Sequence, residues 1–440
     1  MNRNIPTTEK RRTREMSDII REMLRPIPIP KMVRIRQRFD AQKLDDPLAA
    51  LRAELQKPGG IDRIKPGQRV AVAVGSRGVA NIAGFARTTI DAIKAAGAHP
   101  FIVPCMGSHG GATAEGQADV LRHLGIDETT MGAPVRSSME VIQIDRLANG
   151  LPVYVDKIAA TQADAIVVIN RVKPHTAFRG PIESGIMKML AIGLGKQKGA
   201  EACHQLGFKH MARFVPEMAS VMMKKLPVVF GVAAVENAYD ETCHIEVLPA
   251  ERIYEREVEL QKMAKSRMPR LLFDQIDVLV IDYIGKNISG DGCDPNITGR
   301  YPTPYASGGP DVTKMVVLDL TDESKGNANG VGAADFTTRR LVDKTDFTAM
   351  YMNGLTSTVA APTKIPTTLD SDELAIKAAI KTCNILDFTQ CRLVRIRDTL
   401  HLGEIEISVP MLEEARAHPD IEIVSEPYEL QFDEEGYLPK

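Results

Sequence analysis

The stretch DAIVVINRVKPHTAFRGPIESGIMKMLAIGLGKQKGAEACHQLGFKH, residues 164–210, decides how this chain is read. Between Asp164 and Asn170 lies a continuous apolar run, the pattern of a strand buried on both faces of a sheet. The run opens into a loop carrying Lys173, Pro174 and His175. A Gly- and Met-rich segment with Lys188 follows, then a polar one with His204 and His210. Three of the nine histidines fall here, just past the carboxyl end of a strand, where open α/β sheets bind their ligands.

Upstream, RVAVAVG (69–75) reads as a second buried strand. It is followed by the loop SRGVAN and a helix with apolar positions at Ile82, Phe85, Ala86, Ile90 and Ile93. PFIVPCMG (100–107), the loop SHGGAT and a helix from about 114 to 124 repeat the unit, so a parallel, right-handed α/β arrangement is predicted. Asn149-Gly150, between two alternating segments, signals a hairpin. Downstream come a helix over 211–226, a strand over 227–237 and a charged helix over about 250–265. The polar piece KSRMPRLLFDQ (265–275) marks a boundary, and DVLVIDYIG (277–285) with the loop KNISGDGCDPNITGR starts a second α/β set. The amino-terminal residues read as helix, the extended piece RPIPIPKMVRIRQRF (25–39) and a helix over 46–57. The expected fold is α/β: two domains, 1–268 and 269–440, with mostly parallel sheets and a cleft between them.

With 440 residues, two domains are the natural division. The 55 basic and 57 acidic residues nearly cancel, which gives no footprint for nucleic acid or an anionic membrane. No apolar run is long enough to span a bilayer, and the charged amino terminus lacks the core of a secretory signal, so a cytoplasmic protein is expected. Six cysteines without CxxC spacing are expected to be reduced. Trp is absent and aromatics are sparse, which argues against a stacking surface for bases.

Four loops carry candidate chemistry. Ser76, Arg77 and Gly78 open a helix and suit an anion, or else form a plain turn with a solvated arginine. His109 and His175, each in a loop after a strand, suit proton transfer, or else bridge loop backbone. Lys188 between Met187 and Met189 is a tether or nucleophile if desolvated, or a snorkelling side chain. His204 is a candidate metal ligand, with Cys203 beside it as a soft donor. Lys286 and Arg300, after a strand of the second set, suit an anionic substrate across a cleft. Neither GxGxxG after a strand nor GxxxxGK[ST] is present, which disfavours a dinucleotide fold and a P-loop.

GSHGGAT, KPHTAFRG, the Lys188 and His204 pair and GKNISGDGCDPNITGR, in that order, resemble the lactate racemase family of nickel-pincer-nucleotide enzymes over about residues 30 to 430. The resemblance implies racemisation or epimerisation at C2 of a 2-hydroxy acid, by proton-coupled hydride transfer to and from the cofactor. That cofactor is a pyridinium-3-thioamide-5-thiocarboxylic acid mononucleotide holding nickel. By position, Lys188 would be its covalent tether and His204, sixteen residues on, the nickel ligand. His109 and His175 would be the two acid/bases. Ser76, Arg77 and Gly78 would hold the cofactor, and Arg77, Lys286 and Arg300 the substrate carboxylate or phosphate. Cofactor-making enzymes are implied as transient partners, and oligomerisation is left open.

The chain departs from the family pattern in three places. Ile186-Met187 stands where lactate racemases have Gly-Gly before the tether. The gap from His175 to Lys188 is longer, and GSRG replaces an Asp-containing loop. A divergent branch acting on a hydroxy acid larger or more polar than lactate is therefore expected, with Lys196 or Lys198 as alternative tethers. A nicotinamide-dependent dehydrogenase, a metal-dependent hydrolase using the same histidines, or a non-catalytic carrier of the nickel cofactor are the competing readings.

Overall fold

The computed structural model describes residues 18–76 and 78–439. Among them the strands run in chain order as β1 (Met32–Gln37), β2 (Arg69–Val74), β3 (His99–Pro104), β4 (Val141–Arg146), β5 (Pro152–Asp156), β6 (Ala165–Arg171), β7 (Val228–Glu236) and β8 (Thr242–Pro249). They continue with β9 (Gln275–Ile284), β10 (Asp311–Leu320), β11 (Phe336–Thr338), β12 (Thr367–Leu369), β13 (Leu393–Ile396), β14 (Glu404–Ser408) and β15 (Ile421–Ile423). Five strands form one sheet in the order β3-β2-β6-β7-β8, parallel except for β8. Eight form a second, β12-β11-β10-β9-β13-β14-β1-β15, whose first five are parallel and last three antiparallel. The chain is α/β with mostly parallel sheets, as its strand–loop–helix units predict.

The five-stranded sheet is buried on both faces because its strands alternate between two cores. Val70, Val72 and Val74 of β2 pack with Phe85, Ile90 and Ile93 of helix Ile82–Ala95. Ala71 and Ala73 face the opposite core, which contains Met187, Leu190 and Phe214. Each large side chain so enclosed contributes about 2 kcal/mol, enough to hold helices on both faces. The Asn149-Gly150 turn closes the β4–β5 hairpin, with Gly150 at φ 88°. Among the described residues no helix is long and apolar enough to cross a membrane.

A boundary at 268/269 counts the extended piece near residue 32 with the five-stranded half, and this needs correction. Strand β1 hydrogen-bonds between β14 and β15 in the eight-stranded sheet. Its alternation explains the choice: Val33 and Ile35 point into that sheet's core, while Arg36 pairs with Glu404 and Glu422 on the strands either side. The mildly basic amino terminus read as helix extends into residues 1–17, which lie outside those described.

From β2 the chain crosses to β3 on one side, then returns to β6 on the other. Loops that leave β2 and β6 at their carboxyl ends therefore diverge and leave a crevice between them. That crevice positions the candidate site.

Candidate functional site

The ends of β2 and β6 approach closely at Gly75. A Cβ there would lie 3.0 Å from Asn170 Oδ1 and 3.6 Å from Met189 Sδ, so three segments of the site meet at one glycine. Ser76 follows, and its hydroxyl hydrogen-bonds His109 Nδ1 in the neighbouring loop after β3. Gly78 is exposed with open space around it, as a backbone approached by a ligand would be. Arg77 lies outside the described residues.

His109 sits at the end of the loop after β3. Gly110 and Gly111 then take the left-handed region at φ 65°, and a Cβ on Gly110 would come within 2.5 Å of the Gly116 backbone. The pair is there to turn the chain sharply into helix Ala114–His123, which Thr113 caps by accepting from Gly116 N at 3.0 Å. The loop is also fastened to the segment around Lys188: Gly107 N donates to Gly193 O at 3.1 Å and Cys105 Sγ to Met189 O at 3.2 Å.

Lys188 stands on a short helix, Ile186–Lys188, that widens into a π-helical turn over Met189–Leu194. Such turns are rare and concentrate at functional sites. The helix start is held by Glu257, whose Oε2 accepts from Met187 N at 3.0 Å. Gly185, at φ 135°, leaves room for that carboxyl; a Cβ would sit 1.6 Å from Glu257 Oε1. Burial raises the Glu257 carboxyl to about 8, against the pull of the Met187 and Ile186 amides.

His204 ends helix Lys196–His204. Its Nδ1 donates to Ala200 O at 2.6 Å, so the lone pair of the neutral ring is left on Nε2. Burial, joined by the nearby Lys188 charge and opposed by the Ala200 hydrogen bond, holds His204 below the ordinary imidazole range. Phe208 links the histidines, with its ring 5.2 Å from His204 and 6.1 Å from His175. His175 Nδ1 accepts from Ala177 N at 3.0 Å, so the ring proton of the neutral imidazole sits on Nε2.

A metal bound here would need most of its donors from elsewhere. Among the described residues no group of three or more His, Cys, Asp or Glu could hold a metal ion. Burial pushes the Cys203 thiol up to about 12 against the Lys188 charge, and its sulfur lies 3.6 Å from Met211 Sδ. The site offers one imidazole with a directed lone pair and one amine near it. That set fits a metal brought in by an organic group anchored on the amine, and it does not fit a zinc hydrolase, which needs three protein ligands.

The eight-stranded half closes over His175. Arg179 donates to His175 O at 2.7 Å, and across the cleft to Asn296 Oδ1 at 2.6 Å, Tyr301 OH at 2.7 Å and Ser307 O at 3.0 Å. Glu183, fully buried, accepts from His175 N at 2.9 Å and pairs with Lys265 at 2.5 Å. Lys173 approaches Asp294 at 3.6 Å.

Lys286 lies in this same second-half loop, where its ammonium donates to Gly290 O at 2.6 Å. Arg300 donates to Val312 O and Thr313 O and pairs with Asp335 at 3.0 Å, which commits these donors to the start of β10. The alternative tether Lys196 is fully buried on Asp156, Pro104 O and Gln117, so it cannot receive a cofactor.

Several supporting residues escaped the sequence reading. Glu257 had a visible signal: with Ile253, Leu260 and Ala264 it falls on the apolar face of helix Ile253–Arg267, where a carboxylate needs a partner. Glu183, four residues after Arg179, is a pair that spacing alone suggests. Arg179's partners across the cleft had no local signal.

A family model described as a domain of unknown function (DUF362) matches residues 75–248. No curated protein matches the chain. Among solved structures the chain is similar to the lactate racemase apoprotein from Thermoanaerobacterium thermosaccharolyticum, at 13% identity and a TM-score of 0.45, over 83% of this chain and 88% of that one.

Proposed function

We propose that this protein is an isomerase of the racemase or epimerase type that inverts C2 of a 2-hydroxy acid, using a nickel-pincer nucleotide on Lys188. The observation that carries the reading is His204, whose Nδ1 is tied to its own helix and whose ring feels the Lys188 charge. With the loops of His109 and His175 leaving parallel strands at the same end of the sheet, this amine and imidazole would form the floor of the site. Bound there, the cofactor would supply an acceptor for the hydrogen on the carbon that bears the hydroxyl. Lys188 would hold it, His204 would offer Nε2 to its metal, and Ser76 and Gly78 would line its approach.

The protons belong to the chain. Inversion lets either enantiomer enter, so a base must be available to a hydroxyl on each side. His109, oriented by Ser76, serves one side, and His175, oriented by the Ala177 amide, serves the other. Each takes the hydroxyl proton of one enantiomer and returns it to the other. Lys173 and Lys286, on the two walls of the cleft, supply positive charge for the carboxylate. Closure of the second-half loop over His175 would keep the planar intermediate bound while it turns.

The test is intact mass and metal analysis of protein produced together with the cofactor-making enzymes, followed by loss of optical rotation across a panel of hydroxy acids. Stoichiometric nickel and a mass adduct mapping to Lys188 are expected. Protein that carries neither would defeat the reading, and loading without turnover or 2-hydrogen exchange would make the chain a carrier.

A further inference from the structure

We infer that Gln117 and Lys196 are positioning residues for His109, a buried polar relay that sets this imidazole relative to the Lys188–His204 segment. The inference rests on the reading of His109 as a proton-transfer group. Both side chains are fully buried, and neither belongs to the chemistry described above. Lys196 Nζ donates to Pro104 O at 2.6 Å and to Gln117 Oε1 at 3.0 Å, and pairs with Asp156 at 3.2 Å. Gln117 Nε2 donates in turn to Gly107 O at 2.9 Å and His109 O at 3.3 Å.

The relay begins eight residues from Lys188 and starts the helix that ends in His204. It finishes on the carbonyl of His109 itself. Lys196 holds φ 55°, a conformation a non-glycine residue keeps only where its surroundings impose it. Here three acceptors on one ammonium do so.

The amide is what makes the relay work. A neutral carboxamide can accept from an ammonium at one end and donate to two carbonyls at the other. An ionised glutamate keeps the first capacity and loses the second. A methionine loses both.

This gives a test that separates positioning from plain burial. Gln117→Glu should keep the fold, since Lys196 retains its acceptor, yet release the His109 loop. In the full-length chain, the rate at which diethyl pyrocarbonate modifies His109, mapped by peptide mass against exposed His99, should change by about threefold or more. Where turnover is measurable, kcat should fall roughly tenfold and KM should move less than about twofold. Gln117→Met should show the same loop release together with lower thermal stability. Wild-type His109 reactivity in Gln117→Glu would overturn the inference.

Hydrogen exchange on the unsubstituted chain reads the same coupling should either variant fold poorly. Amides over 105–113 should be as protected as helix Lys196–His204, and open-loop rates there would count against the relay. A chain that turns over no hydroxy acid would sink the proposed reaction while leaving the His109 reactivity result to stand or fall alone.

Discussion

The two histidines at the centre of the site are held in opposite ways. His109 is fixed from inside the five-stranded half, by Ser76 in front and the buried Gln117–Lys196 pair behind. His175 is fixed across the cleft, because Arg179 joins its carbonyl to Asn296, Tyr301 and Ser307 of the other half. His109 draws these contacts from the five-stranded half, whereas the backbone of His175 is held by both halves, and polar groups left without partners there would cost more than the net gain of each bond. Under the proposed reaction, that asymmetry would let one base receive substrate and the other commit it.

The largest effect should come from breaking the clamped side. Arg179→Ala removes the side-chain bonds to His175 O, Asn296, Tyr301 and Ser307 together and should lower kcat/KM by about 3 kcal/mol, roughly a hundredfold. Arg179→Lys should recover little of this, because an ammonium cannot span the same fork of acceptors. His109 reactivity should stay at the wild-type rate in both. A matching change at His109 would mean the two sides are one rigid unit and would erase the comparison.

The second experiment bears on the wall that both sides share. His204→Gln should abolish nickel retention while leaving the Lys188 mass adduct, since under the proposed reading tether and ligand would be separate groups. Loss of the adduct as well would mean that His204 is needed to build the pocket rather than to hold the metal.

Next in size is a pH effect on the fixed side. Glu257 caps the Lys188 helix as a buried carboxyl raised from 4.5 to about 8, so the folded chain keeps a proton that the unfolded chain has lost. The favourable contribution is complete below about 4.5 and disappears as pH rises through about 8. Stability should fall by at most about 1.4 kcal/mol per pH unit across that window. Glu257→Gln, measured by urea unfolding at several pH values, should flatten the slope. An unchanged slope would place the titrating group elsewhere.

Much of the five-stranded half was legible because its signals are local. RVAVAV and AIVVIN are apolar without alternation, which only a doubly covered strand explains, and the glycines after His109 announce a turn. What escaped is what depends on distant partners. Strand β1 reads as an isolated extended piece until Glu404 and Glu422, far along the chain, are set beside Arg36. Lys196 looks like any surface lysine next to Lys198 until Asp156 and Gln117 are seen to enclose it. His109 and His175 were found as single residues; the relay behind one and the clamp over the other are tertiary facts.

Arg300 makes the finest discrimination between the halves. By sequence it belongs with Lys286 as a carboxylate ligand, yet its guanidinium is spent on Val312 O, Thr313 O and Asp335 at the start of β10. A cation that only pins a strand start should matter to folding and not to turnover. Arg300→Met should lower unfolding free energy by about 1 kcal/mol, since the Asp335 pair is partly solvated, and leave kcat/KM within about twofold. Lys286→Met should do the reverse, raising KM more than it lowers stability, as expected of a cation that meets the substrate carboxylate in the proposed reaction. Should Arg300→Met instead cost turnover more than stability, the loop 286–300 must rearrange when substrate binds. The eight-stranded half would then contribute a moving cation as well as the clamp on His175.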